Sequence, residues 1–137
     1  MMEFMKPLAV AAAGLKAQTS RMRVIAENIA NADSTAETKG GDPYRRRVPT
    51  FKTVLDRETG MQSVRLDKIV QDRSAFKLDY EPGNPVADDK GYVKRPNVDT
   101  LIETVDMREA QRSYEANLNV ISATRRMVMR TLEILRA

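Results

Sequence analysis

The residue types that most often carry chemistry near neutral pH are missing from this chain, which has no His and no Cys. Without His the usual general base at that pH and the commonest metal ligand are both absent. Without Cys there is no disulfide, no thiolate nucleophile and no zinc–thiolate centre. Ser, Thr, Lys, Asp, Glu and Tyr remain, and nothing groups them in a recognisable catalytic arrangement. Asp88-Asp89 suggests a cation site, but calcium-loop spacing is absent and turn chemistry accounts for the pair. Arg45-Arg46-Arg47 and Arg125-Arg126 are the densest basic runs, suited to acidic patches on other subunits or to solvent. A net charge of +4, from 23 basic and 19 acidic residues mixed along the chain, lacks the concentrated face of a nucleic-acid binder. The expectation is a protein that is not an enzyme, with no catalytic, cofactor or metal site and no small-molecule substrate.

Without a chemical centre, the elements themselves become the subject. At 137 residues the chain fits one ordinary domain, or a small domain with extensions. Apolar residues are 42% of it, enough for a core, yet with seven aromatics and no Trp that core must be thin or divided. Five of six Gly, five of six Pro and five of seven aromatics lie between Gly40 and Pro96. This composition boundary predicts an α+β protein: long N- and C-terminal helices packing as a coiled-coil-like pair around a small β-rich middle domain. The expected partition is 1–35 for the N-terminal helix, 36–97 for the middle and 98–137 for the C-terminal helix. In the middle, Tyr44–Leu55, Ser63–Gln71 and Phe76–Tyr80 read as short strands, the last two from alternating apolar and polar residues. A middle domain this small sits near the lower limit of independent stability.

Leu8, Leu15, Met22 and Ile29 recur every seven residues, with Ala11, Gln18, Ile25 and Ala32 three places on. Met107, Tyr114, Ile121, Val128 and Leu135 repeat the pattern at the other end, beside a small or polar row of Ala110, Asn117, Thr124 and Thr131. A seven-residue step keeps one face of a helix apolar. Bulky residues beside small ones let two helices approach closely. Asn31 is expected to end the first helix in the left-handed conformation. Thr100-Leu101-Ile102-Glu103 is expected to open the last one as a capping box. Lys6 before the apolar Leu8–Leu15 stretch superficially suggests a signal peptide, but Glu3, Gly14 and the continuing periodicity favour an uncleaved helix. That stretch is also far shorter than the roughly 20 residues that span a bilayer.

A two-helix hairpin would leave much of the broad C-terminal stripe wet, at about 25 cal/mol per Å² of unburied apolar surface. Oligomerisation through bundled terminal helices is the expectation, with a plain intramolecular core as the alternative. Leu8, Leu15, Met22, Ile29, Tyr114, Ile121, Val128 and Leu135 would form the assembly interface. Asn117 would supply an interhelical hydrogen bond that fixes register, or else sit in solvent.

Asn28-Ile29-Ala30-Asn31 followed by Ser34-Thr35 resembles the N-terminal signature of the flagellar rod and hook protein family, and Ser113-Tyr114-Glu115-Ala116-Asn117 resembles its C-terminal signature. Tyr80-Glu81-Pro82-Gly83-Asn84-Pro85, with Gly91-Tyr92-Val93-Lys94 and Pro96-Asn97-Val98-Asp99, is similar to the proximal-rod members in particular. Tyr44 also falls at a motif position, though Pro43 precedes it where members often carry Gly, and Ser34 stands where they often carry Thr. The resemblance implies a structural subunit of the flagellar basal-body rod, whose helices form the inner layer of a tube. It implies copies of itself and other rod proteins as partners, and unfolded export by the flagellar type III apparatus without signal-peptide cleavage. It implies a place in the periplasm-spanning rod, passing on torque, with no nucleic acid and no membrane insertion. The ends are expected to order only on incorporation, because neither buries its stripe alone. The rivals are a soluble helical adaptor binding through the C-terminal helix and a nucleic-acid binder acting through the Arg runs.

Overall fold

The computed structural model describes residues 2–136. In chain order the elements are α1 (Met2–Ala30), β1 (Arg47–Leu55), β2 (Gln62–Gln71), β3 (Lys77–Tyr80), β4 (Tyr92–Arg95) and α2 (Thr100–Arg136). The class is α+β as expected, with two two-stranded sheets, β1–β2 and β3–β4, between long terminal helices. Among the described residues no helix is long and apolar enough to cross a membrane. Met1 and Ala137, the outer bounds of the expected terminal segments, lie outside the described residues.

The chain forms two compact units. The first draws on Met1–Met22, Thr50–Lys68 and Arg108–Ala137, so it holds most of both helices and the outer part of the β1–β2 hairpin. Among the described residues its buried side chains are Ala11, Ala17, Ala110 and Thr124, all small. In the hairpin, Thr50 Oγ1 donates to the Lys68 carbonyl (2.8 Å), and Lys52 pairs with Asp67 at 3.3 Å.

The second unit draws on Arg23–Pro49 and Ile69–Met107. Here the buried apolar residues are larger: Val24, Ile25, Val93 and Val98, with Ala32 and Ala87. β3 and β4 pair antiparallel, setting Tyr80 opposite Tyr92, whose rings meet edge to face at 5.3 Å. β4 went unread in the sequence because Tyr92-Val93-Lys94-Arg95 sets two apolar residues before two basic ones, without the alternation that marks β3. Gly91, just before it, has φ +83°, and a Cβ there would stand 3.0 Å from the Tyr80 ring. Only glycine meets both demands cheaply.

Two expectations about helix ends are corrected. Among the described residues no non-glycine has positive φ, so Asn31 does not end α1 in the left-handed conformation. Its side-chain amide instead donates to the Glu27 carbonyl (2.8 Å), and Ser34 Oγ donates to the Asn31 carbonyl (2.9 Å), which satisfies the helix end without strain. At the start of α2 the cap is Asp99, whose Oδ1 accepts from the Leu101 N–H at 3.0 Å. The expected capping box does not form, because Glu103 turns inward to other partners.

Candidate assembly interface

In the first unit the helices meet along their small rows. Gly14 of α1 faces Asn117 of α2 so closely that a Cβ on Gly14 would stand 2.7 Å from the Asn117 amide nitrogen. Ala11 and Ala17 on one side, and Ala110 and Thr124 on the other, are buried there. The bulky heptad residues flank this seam. Leu8, Leu15, Met22, Tyr114, Ile121 and Val128 are half-buried, and Leu135 is 76% exposed. Asn117 donates to the Ser113 carbonyl of its own helix (3.1 Å), and Arg21 lies 3.6 Å from Glu109 across the pair. Gln18, the polar member of the small row, keeps its Oε1 buried without a hydrogen-bond partner.

Among the hollows on this unit, one is mixed in lining and another is apolar. A groove of about 840 Å³ runs between the Ala12–Ser20 stretch of α1, Ser63–Leu66 of β2 and Tyr114. A smaller hollow of about 300 Å³ is walled by Phe4, Met5 and Leu8 together with Ile121, Val128 and Met129. Both use residues of the expected interface, so the stripes are divided between helix pairing and open surface.

In the second unit the family-motif residues have specific work. Asn28 is 1% exposed, and its amide pairs with the Arg47 backbone as a strand would: Oδ1 accepts the Arg47 N–H (3.0 Å), and Nδ2 donates to the Arg47 carbonyl (2.9 Å). Tyr44 Oη donates to the same Oδ1 at 2.7 Å, and burial raises the phenol above its ordinary pKa. Asn28 Nδ2 also reaches Glu103 Oε2 (3.4 Å), and Glu103 is as buried as Asn28. Arg46 Nε donates to the other Glu103 oxygen, while its Nη1 meets Asp72 at 3.4 Å and Nη2 stands 3.9 Å from Asp106. Burial alone would lower the Arg46 guanidinium, but its bonds to Glu103 and Asp72 carry it above the ordinary value. Asn97 closes the hub: Oδ1 accepts the Arg46 N–H (2.7 Å), and Nδ2 donates to the Asp72 carbonyl (3.0 Å).

The rest of the Arg run is engaged within the chain too. Arg45 donates to the Asp72 and Ser74 carbonyls (3.1 Å each) and stacks 4.2 Å over Phe76, and Arg47 lies 3.7 Å from Glu27. Of the remaining motif residues, Tyr80, Pro82, Gly83 and Pro85 are exposed around a turn, as is Ala30 on α1, while Ile29 is half-buried. Asn84 organises that turn, its Nδ2 donating to Glu81 (2.9 Å) and its Oδ1 accepting the Val86 N–H (3.1 Å). Arg95 braces it, reaching Glu81 at 2.8 Å and the Asp33 carbonyl at 3.1 Å. The Asn84 and Arg95 hydrogen bonds hold the Glu81 carboxyl below its ordinary range. Asp88 closes the next turn by accepting the Lys90 and Tyr92 N–H groups (2.9 Å each), and Tyr92 chiefly lowers its carboxyl. Among the described residues no group of three or more acidic side chains could hold a metal ion. Sequence reading missed the Glu103–Arg46 hub because its members lie up to 75 positions apart.

Residues 8–36 match the family described as flagella basal body rod protein, and residues 89–134 match the flagellar basal body rod FlgEFG protein C-terminal family. The flagellar basal-body rod protein FlgC of Agrobacterium fabrum is 52% identical over 93% of this chain and 92% of its own length. The FlgC proteins of Aquifex aeolicus and Bacillus subtilis are each 40% identical, over 97% and 93% of this chain and 98% and 95% of theirs. With relatives this similar along almost their whole length, the chain belongs to the FlgC family of flagellar basal-body rod proteins.

Proposed function

We propose that this chain, a structural subunit of the flagellar basal-body rod, joins copies of itself and other rod proteins through its terminal helices. Together they form the proximal part of a shaft that carries torque across the periplasm. Leu8, Leu15, Met22, Ile29, Tyr114, Asn117, Ile121, Val128 and Leu135 are its assembly residues, and the flagellar type III apparatus exports it without N-terminal cleavage. The 1–35 and 98–137 segments act as the inner assembly domain, and 36–97 faces outward.

The observation that carries the reading is the thinness of the first unit's core. Among the described residues its buried side chains are three Ala and one Thr, while Met127, Met129, Ile134 and Leu135 stand more than half exposed. A surface of that kind marks an interaction site. Load would then be spread over many shallow helix contacts, with no single residue responsible. Deleting the coding sequence should abolish swimming, the intact chain should restore it, and a tagged copy should co-purify with isolated basal bodies. Swimming in the deletion strain, or basal bodies lacking the tag, would overturn the proposal.

A further inference from the structure

The three arginines of the run divide their work. Arg46 is turned inward, onto Glu103 and Asp72. Arg45 and Arg47 instead line a hollow of about 280 Å³ in the second unit, with Asp42, Tyr44, Gln71 and Phe76 around them. Both cations are held against rings, Arg45 at 4.2 Å from the Phe76 centroid and Arg47 at 5.7 Å from that of Tyr44. Arg45 is also pinned by one end, its Nη1 donating to the Asp72 and Ser74 carbonyls. Those acceptors are neutral. Arg45 is half-buried, yet among the described residues no carboxylate pairs with it. The edge left over is Nε with Nη2, two parallel N–H groups spaced to meet both oxygens of one carboxylate. A lysine has no such fork. The other charges on the hollow are matched within the chain: Asp42 meets Lys94 at 3.1 Å, and Arg47 stands 3.7 Å from Glu27. What remains is one fixed positive charge beside a space large enough for an acidic side chain.

We propose that this hollow receives the carboxylate of an Asp or Glu side chain from a neighbouring subunit of the assembly, gripped by the Arg45 fork with Arg47 as the second cation. The inference rests on the assembly reading above and adds to it a contact made by the middle segment, apart from the terminal helices. The ring and carbonyl contacts fix the fork in advance, so little side-chain freedom is lost when an acid arrives. An ion contact this open is weak alone, which disfavours a small diffusing acid. A carboxylate carried on a subunit already held elsewhere is present at high effective concentration, and the same contact then counts.

Carbodiimide coupling, which joins an amine to a carboxylate with loss of water, tests the contact. Full-length chains carrying Arg45→Lys or Arg47→Lys keep the charge and add the amine, and each would replace the native chain in the deletion strain. Isolated basal bodies, and the same chains purified and dilute, would be coupled, digested and read by mass. In basal bodies, a link from position 45 to an Asp- or Glu-containing peptide of another subunit is expected, and position 47 should link to the same peptide. Neither link should form in the dilute chain. Arg45→Gln, which carries no amine, should give no link there and should lower several-fold the amount of chain that survives a high-salt wash of basal bodies. Links that the dilute chain forms equally, a peptide coupled to a small acid instead of another subunit, or no link from either variant in basal bodies that contain it would overturn the carboxylate contact and leave the rod assignment intact. Absence of the native chain from basal bodies would instead remove the assembly reading and the inference with it.

Discussion

A carboxylate that is 1% exposed persists in this fold because Glu103 keeps a cation and an amide against its oxygens. Burying a charge is tolerable only with such partners, and removing one partner usually costs about 3–5 kcal/mol. Arg46→Met should therefore destabilise the chain by about that amount in urea unfolding. Arg46→Met combined with Glu103→Leu should recover most of the loss, because no lone charge is left buried. A loss below about 1 kcal/mol for the single change, the scale of an exposed ion pair, would show that Glu103 is solvated after all. Asp88 gives a prediction with a defined pH window. Its folded value lies below the ordinary 3.8, chiefly through the Tyr92 N–H, so its stabilising effect is complete above 3.8 and disappears as pH falls through the lower folded value. Asp88→Asn keeps the acceptor but removes the titration. Thermal unfolding should then depend less steeply on pH below about 4 than in the native chain, approaching it in acid and falling slightly below it near neutrality.

At the scale of the elements, the terminal helices were legible because their periodicity runs for many turns and Gly and Pro avoid them. Which row faces inward was harder to read. Bulky rows suggest a core, yet the inner seam is built from Ala11, Ala17, Ala110 and Thr124, and Leu8, Leu15, Ile121 and Val128 flank it. Close approach selects small residues, and hydropathy does not register that. Gly14 marks the closest point, opposite Asn117. An Ala in a helix interior normally gains about 0.5–1 kcal/mol over Gly. Gly14→Ala should show that gain in an Asn117→Ala background and lose or reverse it beside the native Asn117, as a double-mutant cycle in urea would record. Equal gains in both backgrounds would mean the helices do not touch there. The β1–β2 and β3 strands were read to within a few residues. Tyr44–Arg46 fall outside β1, and the Arg46 N–H goes to the Asn97 side chain, a pairing between distant residues that no local pattern announces.

For the whole molecule, the family was legible before any geometry, in Asn28–Asn31 and in Tyr80–Pro85, and the relatives bear it out. What each motif residue does was not legible, since Asn28 acts through Arg47 and Glu103, and Glu103 lies 75 positions away. The two units also differ in what holds them. The second combines Val24, Ile25, Val93 and Val98 with the Glu103–Arg46 hub, while the first buries only small side chains. The proposed assembly therefore has its helices gain much of their stability from partners, and that is the central claim. Hydrogen exchange, read peptide by peptide on the dilute full-length chain and again on basal bodies containing it, tests that claim most directly. The account predicts rapid exchange across Leu8–Met22 and Tyr114–Leu135 in the dilute chain, with strong protection after incorporation. Peptides around Asn28, Arg46, Val93 and Glu103 should be protected in both. Helix ends as protected in the dilute chain as in the basal body would contradict it, showing that the terminal helices are complete before any partner arrives.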